Sequence, residues 1–185
     1  VLSARVLETR GSGTLLWLQR GDDLYLPGLV RYGIAPGGVI TVAGLTKPAD
    51  MLWALEEALK CNALGAVVAE VDQVGFTASR RLQLAAESAG ITGFLISRDS
   101  NGVAGATSAA VTRWRLTSAP SQADGLPGVG APCWQVELLR ARGGRPASWS
   151  VVWQESGWHV LPPLAPAQQA EDTQDAAPAI LPLAS

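Results

Sequence analysis

Residues that build metal sites and disulfide scaffolds are scarce in this sequence. Its 185 residues include two cysteines, Cys61 and Cys133, and one histidine, His159. The cysteines are far apart and follow neither a CxxC nor a Cys/His spacing, which argues against a zinc site or a disulfide framework. We therefore predict two buried, reduced thiols and no metal or other cofactor.

Lysine is also scarce, which bears on nucleotide binding. A Walker loop has the pattern GxxxxGK[ST], in which backbone N–H groups and the lysine hold the phosphates. The two lysines, Lys47 and Lys60, follow no such glycine pattern. His159 has no nearby nucleophile and acid to complete a catalytic triad. We predict no catalytic residue and no enzymatic activity.

Long apolar runs and a strong overall charge are absent as well. No apolar run approaches the roughly 20 residues of a membrane span, and there is no signal peptide, so we expect a cytoplasmic protein without membrane contact. The formal net charge is −2, which does not indicate a nucleic-acid coat or a membrane-surface protein. The segment from Thr77 to Arg145 differs, because it holds eight arginines and four acidic residues.

The order of apolar and helical runs predicts an α/β fold with a mostly parallel central sheet and helices on both of its faces. The chain length favours one domain, over residues 1–161. Thr46 and Thr77 are the predicted N-caps of the two longer helices, and Gly90 ends the second. Strand 66–71 should lie centrally, because it is almost continuously apolar. The predicted strands are 14–19, 39–42, 66–71 and 91–97. The predicted helices are 27–32, a helix that has Pro48 in its first turn and runs to about Cys61, and 78–89.

Beyond residue 110 the pattern changes to strands without intervening helices, at 111–117, 134–140 and 149–154. Apolar and polar residues alternate along them, which predicts an antiparallel C-terminal extension with one solvated face. The tryptophans of these strands are expected to pack within the sheet, and a protein-binding face is the alternative. Residues 162–185 are rich in proline, alanine and acidic residues and predict a disordered tail.

Two groups of residues are candidates for function. Glu70 lies near the end of the predicted central strand and resembles the acidic end of a Walker B strand, which without a phosphate loop we interpret as structural or vestigial. Arg80 and Arg81 lie in the first turn of a helix, where the helix dipole disfavours cations. They belong either to a solvated face or ion pair, or to a site for a partner's phosphate or carboxylate. The candidate contacts with a partner or with nucleic acid are Arg80, Arg81, Arg113, Arg115, Arg140, Arg142 and Arg145.

Two blocks of the sequence are more specific than any lone glycine motif. They are Thr-Ala-Ser-Arg-Arg at 77–81 and Glu-Leu-Leu-Arg-Ala-Arg-Gly-Gly at 137–144. With further blocks between Thr14 and Trp153, they make the sequence resemble the ImuA family. These are RecA-like accessory proteins of the bacterial DNA-damage-inducible mutagenesis cassette, related more loosely to RecA and to the SulA cell-division inhibitors.

The resemblance implies a RecA-like core and a non-catalytic accessory role in SOS-induced, error-prone translesion DNA synthesis. The implied partners are RecA, the Y-family-like protein ImuB and an error-prone C-family polymerase, and DNA is a further candidate. It also implies that the domain is N-terminally incomplete, with any phosphate loop upstream of Val1. Two alternatives stay open: a RecA-like ATPase or recombinase whose phosphate loop is missing from this chain, and a SulA-like inhibitor of cell division.

Overall fold

The computed structural model describes residues 13–97, 108–122, 130–154 and 157–162. The chain divides into two compact units, Val1–Val111 and Thr112–Ser185. The first unit holds a parallel sheet of four strands, and the second holds an antiparallel sheet of four strands. The predicted α/β class is therefore confirmed. The antiparallel strands form a sheet of their own instead of lengthening the parallel one.

The parallel sheet has the spatial order β2-β1-β3-β4. Strand β3 lies between β1 and β4, and its residues 65–70 are buried, which confirms the predicted central strand. Two short 3₁₀ segments, Leu26–Tyr32 and Pro36–Gly38, connect β1 to β2. The strands are β1 Thr14–Leu18, β2 Val39–Val42, β3 Leu64–Glu70 and β4 Thr92–Ile96, and the helices are α1 Pro48–Leu59 and α2 Phe76–Ala89.

Both α-helices pack on the same face of this sheet. Val67 and Ala69 of β3 join a core cluster with residues of α1 and α2, whereas Ala66 and Val68 pack with Ile34 on the other face. The prediction of helices on both faces is therefore wrong for α1 and α2. The reason is the strand order: two right-handed crossovers that step in the same direction place their helices on one face. The connection from β1 to β2 crosses the sheet in the opposite direction. Ile34, which follows the first 3₁₀ segment, packs against Ala66 and Val68 on the face without α-helices.

The helix ends differ in detail from the predictions. Pro48 occupies the first position of α1, and it pushes the preceding Lys47 into an extended conformation (ψ 127°), so that Lys47 is the N-cap and Thr46 is not. Helix α2 begins at Phe76 with Gly75 as its N-cap, two residues earlier than the predicted N-cap Thr77 implies. Gly90 ends α2 with a φ of 66°, as predicted.

The antiparallel sheet has the order β5-β6-β7-β8. Its fourth strand was not predicted, because it holds four residues and begins at a glycine, Gly157. This strand places His159 in the sheet instead of at the start of a tail. The predicted tail lies outside the described residues except for Pro162. Among the described helices none is both long and apolar enough to cross a membrane. Cys133 is buried as predicted, but Cys61 is exposed. The strands are β5 Thr112–Gln122, β6 Ala131–Ala141, β7 Ala147–Gln154 and β8 Gly157–Val160.

Candidate partner-binding surface

The register of the antiparallel sheet collects five of the seven tryptophans on one side. Leu116 lies opposite Val136, which in turn lies opposite Trp149. Residues directly opposite each other, and residues two apart along a strand, share a face. This side, called the tryptophan face below, carries no charged residue. Ser118 and Ala147 lie on it, and its larger members are Trp114, Leu116, Trp134, Val136, Leu138, Trp149, Val151, Trp153, Trp158 and Val160.

The tryptophans of this face contact one another. The ring centroids of Trp134 and Trp158 are 4.9 Å apart and those of Trp153 and Trp158 are 5.3 Å apart, both in edge-to-face geometry. Apolar surface nevertheless stays in contact with solvent, since Leu116 is 58% exposed and Val160 is 65% exposed. The expectation that the tryptophans pack within the sheet is confirmed for these rings, and the protein-binding face stays a prediction.

The opposite side of the sheet is largely polar. Ser150 Oγ donates a hydrogen bond to Gln135 Oε1 at 2.8 Å, and Arg115 contacts Glu137 at 3.1 Å. Two residues on this side, Cys133 and Val152, are buried. The predicted alternation of apolar and polar faces is confirmed. Arg115 is held in this ion pair, and Arg113, two residues earlier in β5, lies on the same face.

A tight hairpin between β6 and β7 places arginines at one end of the sheet. Gly143 has a φ of 76°, a conformation that favours glycine, and the Gly144 N–H donates to the Ala141 carbonyl at 3.3 Å. Arg142 and Arg145 are exposed on either side of this glycine pair. The turn therefore serves to present two cations.

Two more arginines lie at the base of this hairpin. Arg113 of β5 is directly opposite Arg140 of β6 in the strand register. Arg113 and Arg140, together with Arg142 and Arg145 of the hairpin, are called the arginine end below.

The two helix arginines have a different role. Arg81 donates a hydrogen bond to the Glu56 carboxylate of α1, and this bond lowers the pKa of Glu56 below its usual value. Arg80 donates to Gln83 Oε1 at 2.7 Å, and Gln83 donates to Glu87 at the same distance. Of the two interpretations offered by the sequence, the ion pair describes Arg81, and its partner is Glu56 of α1.

Polar side chains also meet at the carboxyl ends of β1 and β3. Leu18 pairs with Ala69 in the register, so Gln19 and Glu70, which follow them, lie side by side. Glu70 is 9% exposed and Gln19 is 2% exposed, and the Gln19 Oε1 atom has no hydrogen-bond partner in the described structure. The sequence predicted Glu70 but missed Gln19, whose signal is a polar residue directly after an apolar strand.

Comparison with known proteins places the chain in a family. No protein-family model matches it. Two curated relatives, each called Protein ImuA, come from the Caulobacter vibrioides strains NA1000 / CB15N and ATCC 19089 / CIP 103742 / CB 15, and each is 40% identical to the chain over 166 residues. The chain belongs to the ImuA family. The match covers 83% of this chain and 66% of the length of each relative.

The two specific blocks have different structural roles in this ImuA-family chain. In the block at 77–81, Ser79 is buried; its Oγ donates to the Phe76 carbonyl at 2.8 Å and accepts from the Ala109 N–H at 3.0 Å. This serine ties the segment before β5 to helix α2, a role that the sequence did not predict. The block at 137–144 ends β6 and forms the hairpin with its arginines. The first block therefore stabilises the fold, and the second presents charge.

Proposed function

We propose that this ImuA-family protein is a non-catalytic accessory protein of SOS-induced, error-prone translesion DNA synthesis, and that it works by binding RecA, ImuB and an error-prone C-family polymerase. The observation that supports this proposal most directly is the uncharged tryptophan face beside the arginine end. Tryptophan and arginine are enriched among the residues that dominate protein–protein binding energies. Family membership supplies the cellular context for the proposal.

The carboxyl edge of the parallel sheet is a second feature that bears on the function. The carboxyl edge of a parallel sheet is where α/β proteins usually bind ligands, and here it carries the buried pair Gln19 and Glu70. We propose that the first unit has a RecA-like core in which Glu70 occupies a vestigial Walker-B-like position. The sequence supplies no lysine-bearing phosphate loop to neutralise a bound triphosphate.

The same carboxyl edge also favours one alternative, an ATPase in which a longer protein supplies the phosphate loop. The two relatives extend beyond the matched region, which covers 66% of their length. Titration of Mg-ATP into this chain and into a full-length family member separates the two functions. An accessory protein binds no nucleotide in either form. Saturable micromolar binding by the full-length protein alone would support the alternative.

Co-purification tests the proposed partners directly. The tagged chain is mixed with purified RecA, ImuB, the C-family polymerase or the tubulin-like division protein, and capture is compared with that by an unrelated tagged protein. We expect capture of RecA and of at least one polymerase component. Capture of the division protein alone would favour the SulA-like alternative, and capture of none would refute the accessory role for this part of the protein.

A further inference from the structure

We infer that the carboxyl end of β1 holds a binding site for an amide group of a partner protein, formed by the indole N–H of Trp17 and the side-chain carbonyl of Gln19. The inference rests on the proposed accessory function and deepens it, because it names a chemical group that the partner must offer. It is based on two buried polar atoms, one donor and one acceptor, that have no hydrogen-bond partner in the described structure.

Buried polar atoms without a hydrogen-bond partner are rare in folded proteins. In the described part of this chain two side-chain atoms are of this kind, Trp17 Nε1 and Gln19 Oε1. An unpaired buried donor or acceptor destabilises a fold, so each one requires an explanation, and a ligand that completes the hydrogen bonds is one. Both atoms come from the end of the same strand, which indicates a shared cause.

Trp17 and Gln19 lie on the same side of the parallel sheet. Gln19 continues the ladder beyond β1, since its N–H donates to the Val42 carbonyl at 2.9 Å and its carbonyl accepts from the Leu45 N–H at 3.2 Å. Residues two apart in an extended chain share a face and are about 6.6 Å apart. Trp17 packs with the cluster on the face without α-helices. The two unpaired atoms therefore belong to one face at the carboxyl edge, where α/β proteins usually bind ligands.

The surroundings of this pair leave one exposed approach. Gln19 is 2% exposed, whereas residues 20–23, which follow it, are all exposed. Glu70 lies beside Gln19 and has a contact of its own, so the site is defined by Trp17 and Gln19 alone. A partner group reaches them through the exposed segment 20–23.

The hydrogen-bonding sense of the two atoms selects the class of ligand. The indole N–H of Trp17 donates and the carbonyl oxygen of Gln19 accepts. A phosphate or carboxylate would satisfy the indole but place an acceptor against the carbonyl, and an ammonium or guanidinium group would satisfy the carbonyl alone. An amide offers a carbonyl and an N–H in one planar group, so it satisfies both. Asparagine, glutamine and backbone peptides present this group on a protein.

Gln83 is a matched control within the same unit. It is 8% exposed, and its amide accepts from Arg80 and donates to Glu87, both at 2.7 Å. Gln83→Met breaks these hydrogen bonds and should lower the melting midpoint. Gln19→Met removes an unpaired oxygen and keeps the length of the side chain, so the midpoint should equal or exceed that of the parent chain.

Titration with acetamide tests the site without any partner. Each of the seven tryptophans gives one indole N–H signal in a ¹H–¹⁵N correlation spectrum of the full chain, and Trp17→Phe assigns the signal of Trp17. We expect acetamide to shift this signal saturably, with an affinity in the millimolar range because the ligand is so small. Acetone has the same shape but no donor, and acetate offers acceptors only. Both should bind at least about fivefold more weakly.

Variants connect the site to the partner. Gln19→Met should weaken acetamide binding about five- to tenfold, which corresponds to the loss of one hydrogen bond. It should weaken capture of RecA or ImuB by at least the same factor. Gln83→Met should leave acetamide binding within about twofold of the parent value.

Several outcomes would overturn the inference. One is a shift of the Trp17 signal by acetone, acetate, guanidinium or adenosine at least as strong as that by acetamide. Another is a fall of several degrees in the melting midpoint of Gln19→Met, which would show that Gln19 is satisfied by the fold or by a bound water. Unchanged partner capture by Gln19→Met would refute the assignment to a partner and leave a free small amide as the ligand.

The same experiments separate this inference from the proposed function. Acetamide binding without capture of RecA or ImuB by the parent chain would remove the proposed function alone. Capture without acetamide binding would remove this inference alone.

Discussion

Replacing Arg140, Arg142 and Arg145 together by alanine is expected to weaken partner binding far more than it weakens the fold. All three side chains are exposed, and exposed substitutions usually change stability by about 0.5 kcal/mol or less. The free energy of unfolding should therefore change by less than about 1 kcal/mol, or about 2–4 °C in the melting midpoint for a chain of this size.

The effect on binding should be much larger. Loss of a single desolvated arginine contact at an interface can cost about 2 kcal/mol or more, which is roughly thirtyfold in affinity. The assay combines thermal melting with affinities for RecA, ImuB and single-stranded DNA at two salt concentrations. If the arginines bind DNA phosphates, the salt dependence should fall by about 0.7 per lost contact, or about 2 in all.

A variant of the helix arginine serves as the control. Arg81→Ala removes the ion pair with Glu56, so it should lower the melting midpoint and leave every affinity unchanged. Unchanged affinity of the triple variant for all partners would refute the reasoning. It would show that Arg140, Arg142 and Arg145 are solvent-exposed residues without a role in binding. Unfolding of the triple variant would show instead that the hairpin stabilises the sheet.

Further predictions concern the core, the helix pair and nucleotide binding. Gly13→Ala should cost about 1–3 kcal/mol in a denaturant melt, because a Cβ there would lie 2.3 Å from the Gly65 Cα, whereas Gly37→Ala, with nothing within 4 Å, should change stability by less than about 1 kcal/mol; equal costs would contradict the packing. Leu55→Ala, at a fully buried position of α1, should cost about 2–5 kcal/mol, and a smaller loss would mean that the site collapses around the change. The lowered pKa of Glu56 means that its ion pair stabilises the fold above the unfolded pKa of about 4.3 and that this contribution is lost as the pH falls through the folded value. Melting midpoints of Glu56→Gln and the parent chain should therefore differ at pH 7 and converge in acid, and a constant difference would assign the effect to packing. Calorimetric titration with Mg-ATP should show no saturable micromolar binding, and a saturable isotherm would contradict the non-catalytic function.

Sequence pattern alone located most of the elements, because their signals are local. The strand 39–42 was predicted with its observed bounds, and Pro48 lies in the first turn of α1 as predicted. Gly90 ended α2, because a left-handed residue after a helix is strongly favoured to be glycine. The N-cap of α2 was misplaced, since a glycine in an extended conformation precedes the helix and carries no side-chain cap.

The candidate surface could be predicted only in part. The excess of arginine between Thr77 and Arg145 was evident in the sequence. The sequence did not show which of these arginines form ion pairs. Arg81 pairs with Glu56, 25 residues away, and Arg115 pairs with Glu137, 22 residues away. Such partners depend on how helices and strands pack, and local spacing along the chain carries no information about them.

What the sequence by itself determined was the order and type of the elements, the absence of a lysine-bearing phosphate loop and the family resemblance. Tertiary structure decided the rest. The register of β5, β6 and β7 placed Arg113 opposite Arg140 and gathered the tryptophans on one face, and a shift of one residue would have sent those side chains to the other side. Strand order placed both helices on one face of the parallel sheet and set Gln19 beside Glu70. Register and strand order arise from contacts between distant segments, and the free energy of the whole fold selects them.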